Sequence, residues 1–338
     1  MAKQSTQQLI NELLAKLEPR IAAAFREALD HLRSTLDTQR VVAAIAAGDI
    51  DAALELLNIN DNSFEDVLEA VREAYLEGGR ATIEHLPQQI ASFRFSGRAY
   101  RAEAWLRDHS AELVRQIVDS QRRAVRDHLA EGMARGVAPR SLVVQIVGRT
   151  NRATGRREGG ILGLTDAQAV YVRRAADELS SGDPAVMQAY LQRGRRDRRF
   201  DRSVAKAIRE GRPVEPATAA KAIIAYERRL LDLRATTIAR TEAMTALHAA
   251  QDEALRQAVD AGAVQANQIR RVWRSAADRR VRDTHRGLNG ETVGLDEAFV
   301  SPSGAVLRFP GDPKAPAAER IACRCWLEPR IDFNINLR

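Results

Sequence analysis

The residues best equipped for chemistry in this chain fall between Trp273 and Arg330. Both cysteines, Cys323 and Cys325, lie there, and Trp273, Asp278, Arg280, Arg282, Asp283 and His285 crowd one short window ahead of them. Three kinds of chemistry are open to such a set. The first is metal binding. His285, Cys323 and Cys325, with Asp278 or Asp283 as a fourth donor, make a ligand set that zinc accepts, so a structural zinc is a candidate. One residue between two cysteine ligands is tighter spacing than structural zinc sites generally use. The plain alternative is that both thiols are small buried apolar groups and that His285 hydrogen-bonds a carboxylate. The second is acid–base work, with His285 as general base beside Asp283 in a nuclease-like enzyme. No cluster of carboxylates that would hold a catalytic metal accompanies it. The third is structural: a compact module with a polar core, suited to assembly rather than turnover. This third reading is the one adopted, with no enzymatic activity expected.

These residues need elements to position them. Val272 to Arg274 reads as a short strand. Ala276 to His285 reads as one or two helical turns, which would put Asp278, Arg282 and His285 near one face. Asn289-Gly290 is a turn, because both residues tolerate positive φ. Phe299-Val300 and Ala305 to Phe309 read as a hairpin, and Pro310-Gly311-Asp312-Pro313 breaks the chain again. Ile321 to Leu327 reads as a last strand, with Cys323 and Cys325 on one face.

The chain before this stretch is helical in its spacing. Ile10, Leu14, Leu17, Ile21, Phe25, Leu29, Leu32 and Leu36 recur in steps of three and four, which predicts a long amphipathic helix for core packing or partner contact. Ser63, with Asp66 after it, predicts a capped helix from Phe64 to His85, ended by Pro87. A further helix is expected from Arg101 to Ala134, interrupted near His109-Ser110. Gly148 to Gly163 reads as an Arg- and Gly-rich surface loop without a Walker or dinucleotide spacing. Thr165 and Asp183-Pro184 open two more helices. Pro216 opens the longest pattern, to Asp260, with Gly262 as its stop.

The fold class expected is therefore mainly α: an extended helical body followed by a small C-terminal α+β module. Three segments are expected: 1–92, an acidic helical region; 93–262, a helical body with a basic stretch; and 263–338, the small module. Charge supports the partition. The chain carries a net +7. Residues 1–87 hold eight Lys/Arg against fifteen Asp/Glu, a net of −7, so the remainder carries +14. Arg193–Arg212 is net +6 and Arg270–Arg286 net +5. Such asymmetry suits a protein partner at one end and a polyanion at the other. The candidate DNA contacts are Arg195, Arg196, Arg198, Arg199, Arg202, Arg270, Arg271, Arg279 and Arg280. With Phe200 as the lone aromatic among the first group, they would hold duplex phosphates without reading sequence. Two closely spaced cysteines are no disulfide framework, and no apolar run is long enough for a membrane span. A reducing cytoplasm, or a particle assembled in one, is the compartment expected.

In order along the chain, Ala239-Arg240-Thr241-Glu242, Trp273, Asp278, Arg280, Arg282, His285, Gly290, Phe299, Phe309-Pro310-Gly311-Asp312-Pro313 and Cys323-Arg324-Cys325 make up a pattern. It resembles the C-terminal module of the phage Mu F-like head-morphogenesis family, the minor head proteins of tailed phages. Ala322 departs from it, standing where that family usually has Asn. The resemblance implies a structural protein of the virion or prophage that acts in head assembly in the host cytoplasm. It would sit in the capsid interior, binding the portal protein, the inner capsid or scaffold, and possible packaged DNA contacts follow from the charge. It also implies that Arg240 and Glu242 buttress the module. With Trp273, Asp278, Arg282, Asp283 and His285 they would form one polar cluster against the cysteines, and a buried Arg240 would pair with Asp278 or Asp283.

Overall fold

The computed structural model describes residues 4–87, 90 and 93–335. Helix accounts for 64% of the structure, and small antiparallel sheets follow near the C-terminus. The α-helices are α1 (Thr6–Thr35), α2 (Thr38–Ala46), α3 (Ile50–Leu56), α4 (Glu65–His85), α5 (Tyr100–Ala134), α6 (Pro139–Val147), α7 (Asp166–Ser180), α8 (Pro184–Gln192), α9 (Asp201–Arg209), α10 (Pro216–Asp260), α11 (Asp283–Gly287) and α12 (Ala317–Arg320). The strands are β1 (Arg149–Thr150), β2 (Arg157–Glu158), β3 (Ile269–Arg274), β4 (Thr292–Gly294), β5 (Phe299–Val300), β6 (Val306–Leu307) and β7 (Trp326–Ile331). Among the described residues, strands are confined to the region after Gln265 except for the β1–β2 hairpin.

The chain makes two compact units, each assembled from separated stretches. The first comprises residues 1–24, 66–112 and 236–338; the second comprises 25–65 and 113–235. The three consecutive segments drawn from composition therefore do not coincide with the compact units, because composition follows the chain whereas packing joins segments far apart in it.

In the first unit, the 241–255 stretch of α10 is buried on every face, despite containing Thr241, Glu242, Thr245, His248, Gln251, Asp252 and Glu253. Its alanines let neighbours approach closely. A Cβ added at Gly78 of α4 would stand 3.1 Å from the Leu247 Cα. Ile83, Leu86, Ile90, Leu255, Ala258, Ile269 and Leu295 make an apolar cluster there. α5 runs without the interruption expected near His109. That residue is buried: its ring stacks on Trp105 at 4.5 Å, and its Nε2 lies 2.7 Å from a Glu242 carboxylate oxygen. A histidine that reads as a polar break is here a satisfied member of the core.

The C-terminal sheet has the order β4-β3-β7, all antiparallel, with Trp273 opposite Leu327 and Arg274 opposite Trp326. Pro329 is tolerated because β7 is an edge strand. β5 and β6 form the expected hairpin, turning through Gly304 at φ 82°. In the Phe309–Pro313 loop, the Asp312 carboxylate accepts the backbone N–H of Arg308 and of Lys314, while the Gly311 carbonyl accepts the Thr245 hydroxyl at 2.8 Å. This loop is therefore pinned to α10.

In the second unit, the Phe25, Leu29 and Leu32 positions of α1 are buried, as are Val41 and Ile45 of α2 and Leu142, Ile146 and Val147 of α6. Asn60, not Ser63, caps the turn before α4: its side chain and that of Ser63 bond each other's backbone across the short 3₁₀ turn Asp61–Phe64. The 148–163 loop is only partly a surface loop. β1 and Glu158 of β2 are exposed, but Ile161 and Leu162 are buried, and Arg33 donates to the Gly159 and Leu162 carbonyls. The basic stretch after Arg193 is a 3₁₀ turn and the short α9 rather than one helix. Its ion pairs include Arg193 with Glu178 of α7, Arg196 with Asp201, and Arg199 with Asp197.

Candidate functional site

His285 is the centre of the C-terminal module. It lies on α11, 1% exposed, under the edge of Trp273, whose ring centroid is 5.2 Å away at 79°. Trp273 in turn meets Phe299 edge-on at 5.1 Å. The His285 Nδ1 faces two sulfurs, Cys323 Sγ at 3.4 Å and Cys325 Sγ at 3.5 Å. Its Nε2 lies 2.8 Å from Glu319 Oε2. Glu319 is itself buried and fixed. Ser303 Oγ donates to its Oε1 at 2.6 Å and Thr284 Oγ1 to its Oε2 at 2.9 Å. Burial works to raise the Glu319 pKa, but these two hydroxyls and His285 together hold it below the usual carboxylate value.

Cys323 is held well below the ordinary thiol range, first by its hydrogen bond with Cys325 and then by His285, while the same bond and burial push Cys325 up. Among the described residues, the donor atoms of His285, Cys323 and Cys325 all lie within 4.8 Å of one another, and all three residues are buried. These are the residues able to hold a metal.

The cysteines precede the last strand instead of belonging to it: β7 starts at Trp326. They reach one side because of a bend. Ala322 has φ 53°, in the left-handed region. Three side chains clamp this bend. Arg282 donates to the Ile321 carbonyl, Thr241 Oγ1 accepts the Ala322 N–H at 3.0 Å, and Arg240 Nε donates to the Cys323 carbonyl at 3.4 Å. Arg324, between the two cysteines, is held by Asp278. Arg240, Arg282 and Asp278 therefore position the cysteine segment.

The remaining candidates go elsewhere. Arg240 pairs with Glu18, not with Asp278 or Asp283. Glu242 faces His109. Asp283 is 91% exposed and pairs with Arg286 one turn on. The helical turns expected over Ala276–His285 shrink to α11, which starts only at Asp283, so no single helical face carries Asp278, Arg282 and His285. An Asp283/His285 pair for a nuclease is thus not assembled: one side chain is in solvent and the other sealed inside. Arg271 is buried, 1% exposed, which a DNA contact does not allow. Its Nη1 donates to Asp252 Oδ1 at 3.0 Å and to the Arg308 carbonyl at 2.9 Å, and its Nη2 to the Gly294 carbonyl at 3.0 Å. Asp252 also takes Arg256 and Arg308. Alternation along β3 was the available signal, since Ile269, Arg271 and Trp273 share one face. Glu319 carried none, lying in a four-residue helix with no periodicity to read.

Residues 184–328 match the family described as Phage Mu protein F like protein. That span runs from α8 into β7 and contains the His285–cysteine cluster, Glu319 and every clamp residue on α10. It is a Mu F-like region. Over 105 residues the chain is 37% identical to the "Uncharacterized protein YqbB" of Bacillus subtilis (strain 168), covering 30% of this chain and 32% of that protein. The chain thus matches about a third of that relative's length. No solved structure matches. The family resemblance read from the ordered motifs is met over the stretch that carried them, and the fold around them is the mainly helical one expected, with a small sheet module at the end.

Proposed function

We propose that this protein is a minor head protein of a tailed phage or prophage, acting in head assembly at the portal or on the inner capsid or scaffold. It would assemble in the host cytoplasm and reside inside the capsid. The Mu F-like match over residues 184–328 carries this reading, because it falls on the region whose polar side chains are spent on holding the module together. Arg240, Thr241 and Arg282 all bond backbone of the cysteine segment, which is what an assembly module needs. Among the described residues, no helix is long and apolar enough to cross a membrane. Packaged duplex DNA is a second partner in this proposal, met by the exposed members of the basic stretches: Arg195, Arg198, Arg199, Arg202, Arg279 and Arg280.

The test is capture of the tagged protein from a lysate producing procapsids, with partners identified by mass spectrometry. Portal, capsid or scaffold peptides, enriched over a lysate that lacks procapsids, are expected. Recovery of the protein free of all three, from a lysate in which procapsids form normally, would overturn the assignment.

A further inference from the structure

We infer that His285, Cys323 and Cys325 form a zinc site that staples the C-terminal module. The inference is independent of the assembly role proposed above, and rests on three features of the geometry.

The first is the disposition of the donor atoms. A neutral imidazole nitrogen has one in-plane direction for a hydrogen bond, either one N–H or one lone pair. Yet Nδ1 of His285 faces two sulfurs at nearly equal distance, 3.4 and 3.5 Å. That arrangement suits a shared central ion better than a single bond. With Zn–S of about 2.3 Å and Zn–N of about 2.0–2.1 Å at tetrahedral angles, a nitrogen and a sulfur on the same zinc stand about 3.6 Å apart. All three donor atoms lie within 4.8 Å of one another, a size that one ion can span.

The second is the support behind the histidine. Zinc-bound histidines generally turn their other ring nitrogen toward a carboxylate, which orients the ring and makes it a stronger ligand. Here Nε2 faces Glu319 at 2.8 Å. Glu319 has both oxygens engaged, by Ser303 and by Thr284, so it is locked behind the ring and not among the metal donors.

The third is the backbone. The single residue between the cysteines looked too short a spacer for two ligands. The left-handed bend at Ala322 and the clamps from Arg240, Thr241 and Arg282 remove that objection, because the segment is held with both thiols toward His285 before any ion arrives. Among the described residues no further histidine, cysteine or carboxylate joins the three, so a water molecule would complete the tetrahedron.

The experiment uses the full-length protein. It is purified without chelator, its zinc content measured by mass spectrometry of the metal, then stripped and titrated with Zn²⁺ or Co²⁺ alone. About one zinc per chain is expected. Co²⁺ should give an intense thiolate-to-metal charge-transfer absorption together with tetrahedral d–d bands, and Cys323→Ser or Cys325→Ser should weaken or abolish the charge-transfer band. Glu319→Gln should keep the spectrum but weaken zinc binding by about 10- to 100-fold, as loss of a partner behind a ligating histidine does. The cysteine variants could fail to fold, so the wild-type protein is also tested alone. Zn²⁺, and not Mg²⁺, should shield both thiols from a maleimide and raise Tm. A wild-type protein that takes up no zinc after reconstitution, or whose Co²⁺ spectrum lacks the thiolate band, overturns the site, whatever the procapsid capture shows.

Discussion

Ala322 is one of two alanines, with Ala277, that the described residues hold in the left-handed region. Its φ of 53° puts a Cβ where only Gly, and to a lesser degree Asn, sits without strain. The Asn that the resemblance places at this position would tolerate the bend better than Ala does. Ala322→Gly is expected to stabilise the protein by about 0.5–1 kcal/mol, and Ala322→Asn by less, in thermal or urea unfolding. A lowered Tm for both would show that the bend is not strained. Arg271 illustrates the opposite case, a costly group made affordable by complete pairing. Burial pulls its pKa down while Asp252 pulls it up. Arg271→Ala would leave Asp252 buried with only Arg256 and Arg308, at a cost of about 3–5 kcal/mol in chemical denaturation. A loss under about 1 kcal/mol would mean the site rehydrates freely.

Among the elements, α10 does the most to organise chemistry, because different stretches of it serve different partners. Its Arg240 and Thr241 hold the cysteine bend, its Thr245 holds the Phe309–Pro313 loop, and its Asp252 takes the buried arginine. Glu227, in the same helix, is packed with the 148–163 loop and accepts the Gly160 N–H at 2.8 Å. Burial pushes its pKa up to about 7, outweighing that N–H and the charge of Arg33. The folded state therefore binds this proton more tightly than the unfolded chain. The resulting stability is fully present below about pH 4.5 and is lost as pH rises through about 7. Glu227→Gln keeps the acceptor and removes the charge. It should be more stable than wild type at pH 8, by up to about 3 kcal/mol, and equal to it near pH 4. Parallel unfolding curves across that range would show that Glu227 is solvated.

For the molecule as a whole, charge and packing follow different maps. Net charge is −7 before residue 88 and +14 after it, while the two compact units each draw on separated stretches of the chain. Charge therefore speaks to partners, not to fold. If the exposed arginines meet duplex DNA, binding should be indifferent to sequence and should fall steeply with salt. Replacing Arg195, Arg198 and Arg202 together with Ala should lower the slope of log affinity against log salt by about 2–3, read by fluorescence anisotropy. An unchanged slope would remove these residues from the contact, and Arg271, being buried, should not contribute to it at all. Much else was legible along the chain. The three-and-four spacing of Ile10 to Leu32 specified α1, Pro216 and Gly262 bracketed α10, the hairpin turned where Ser301–Gly304 placed it, and the ordered motifs pointed to the Mu F-like region. These are local rules of period, cap and turn, acting over a few residues, so sequence order alone carries them. Which polar groups meet was not legible. Nothing local paired Arg240 with Glu18, joined His109 to Glu242, put Glu319 behind His285, or bent residue 322 so that both thiols face one ring. Those pairings link positions from 34 to 222 residues apart. They exist only because packing removes water from one set of polar groups and not another, and each buried group must then find a partner within reach.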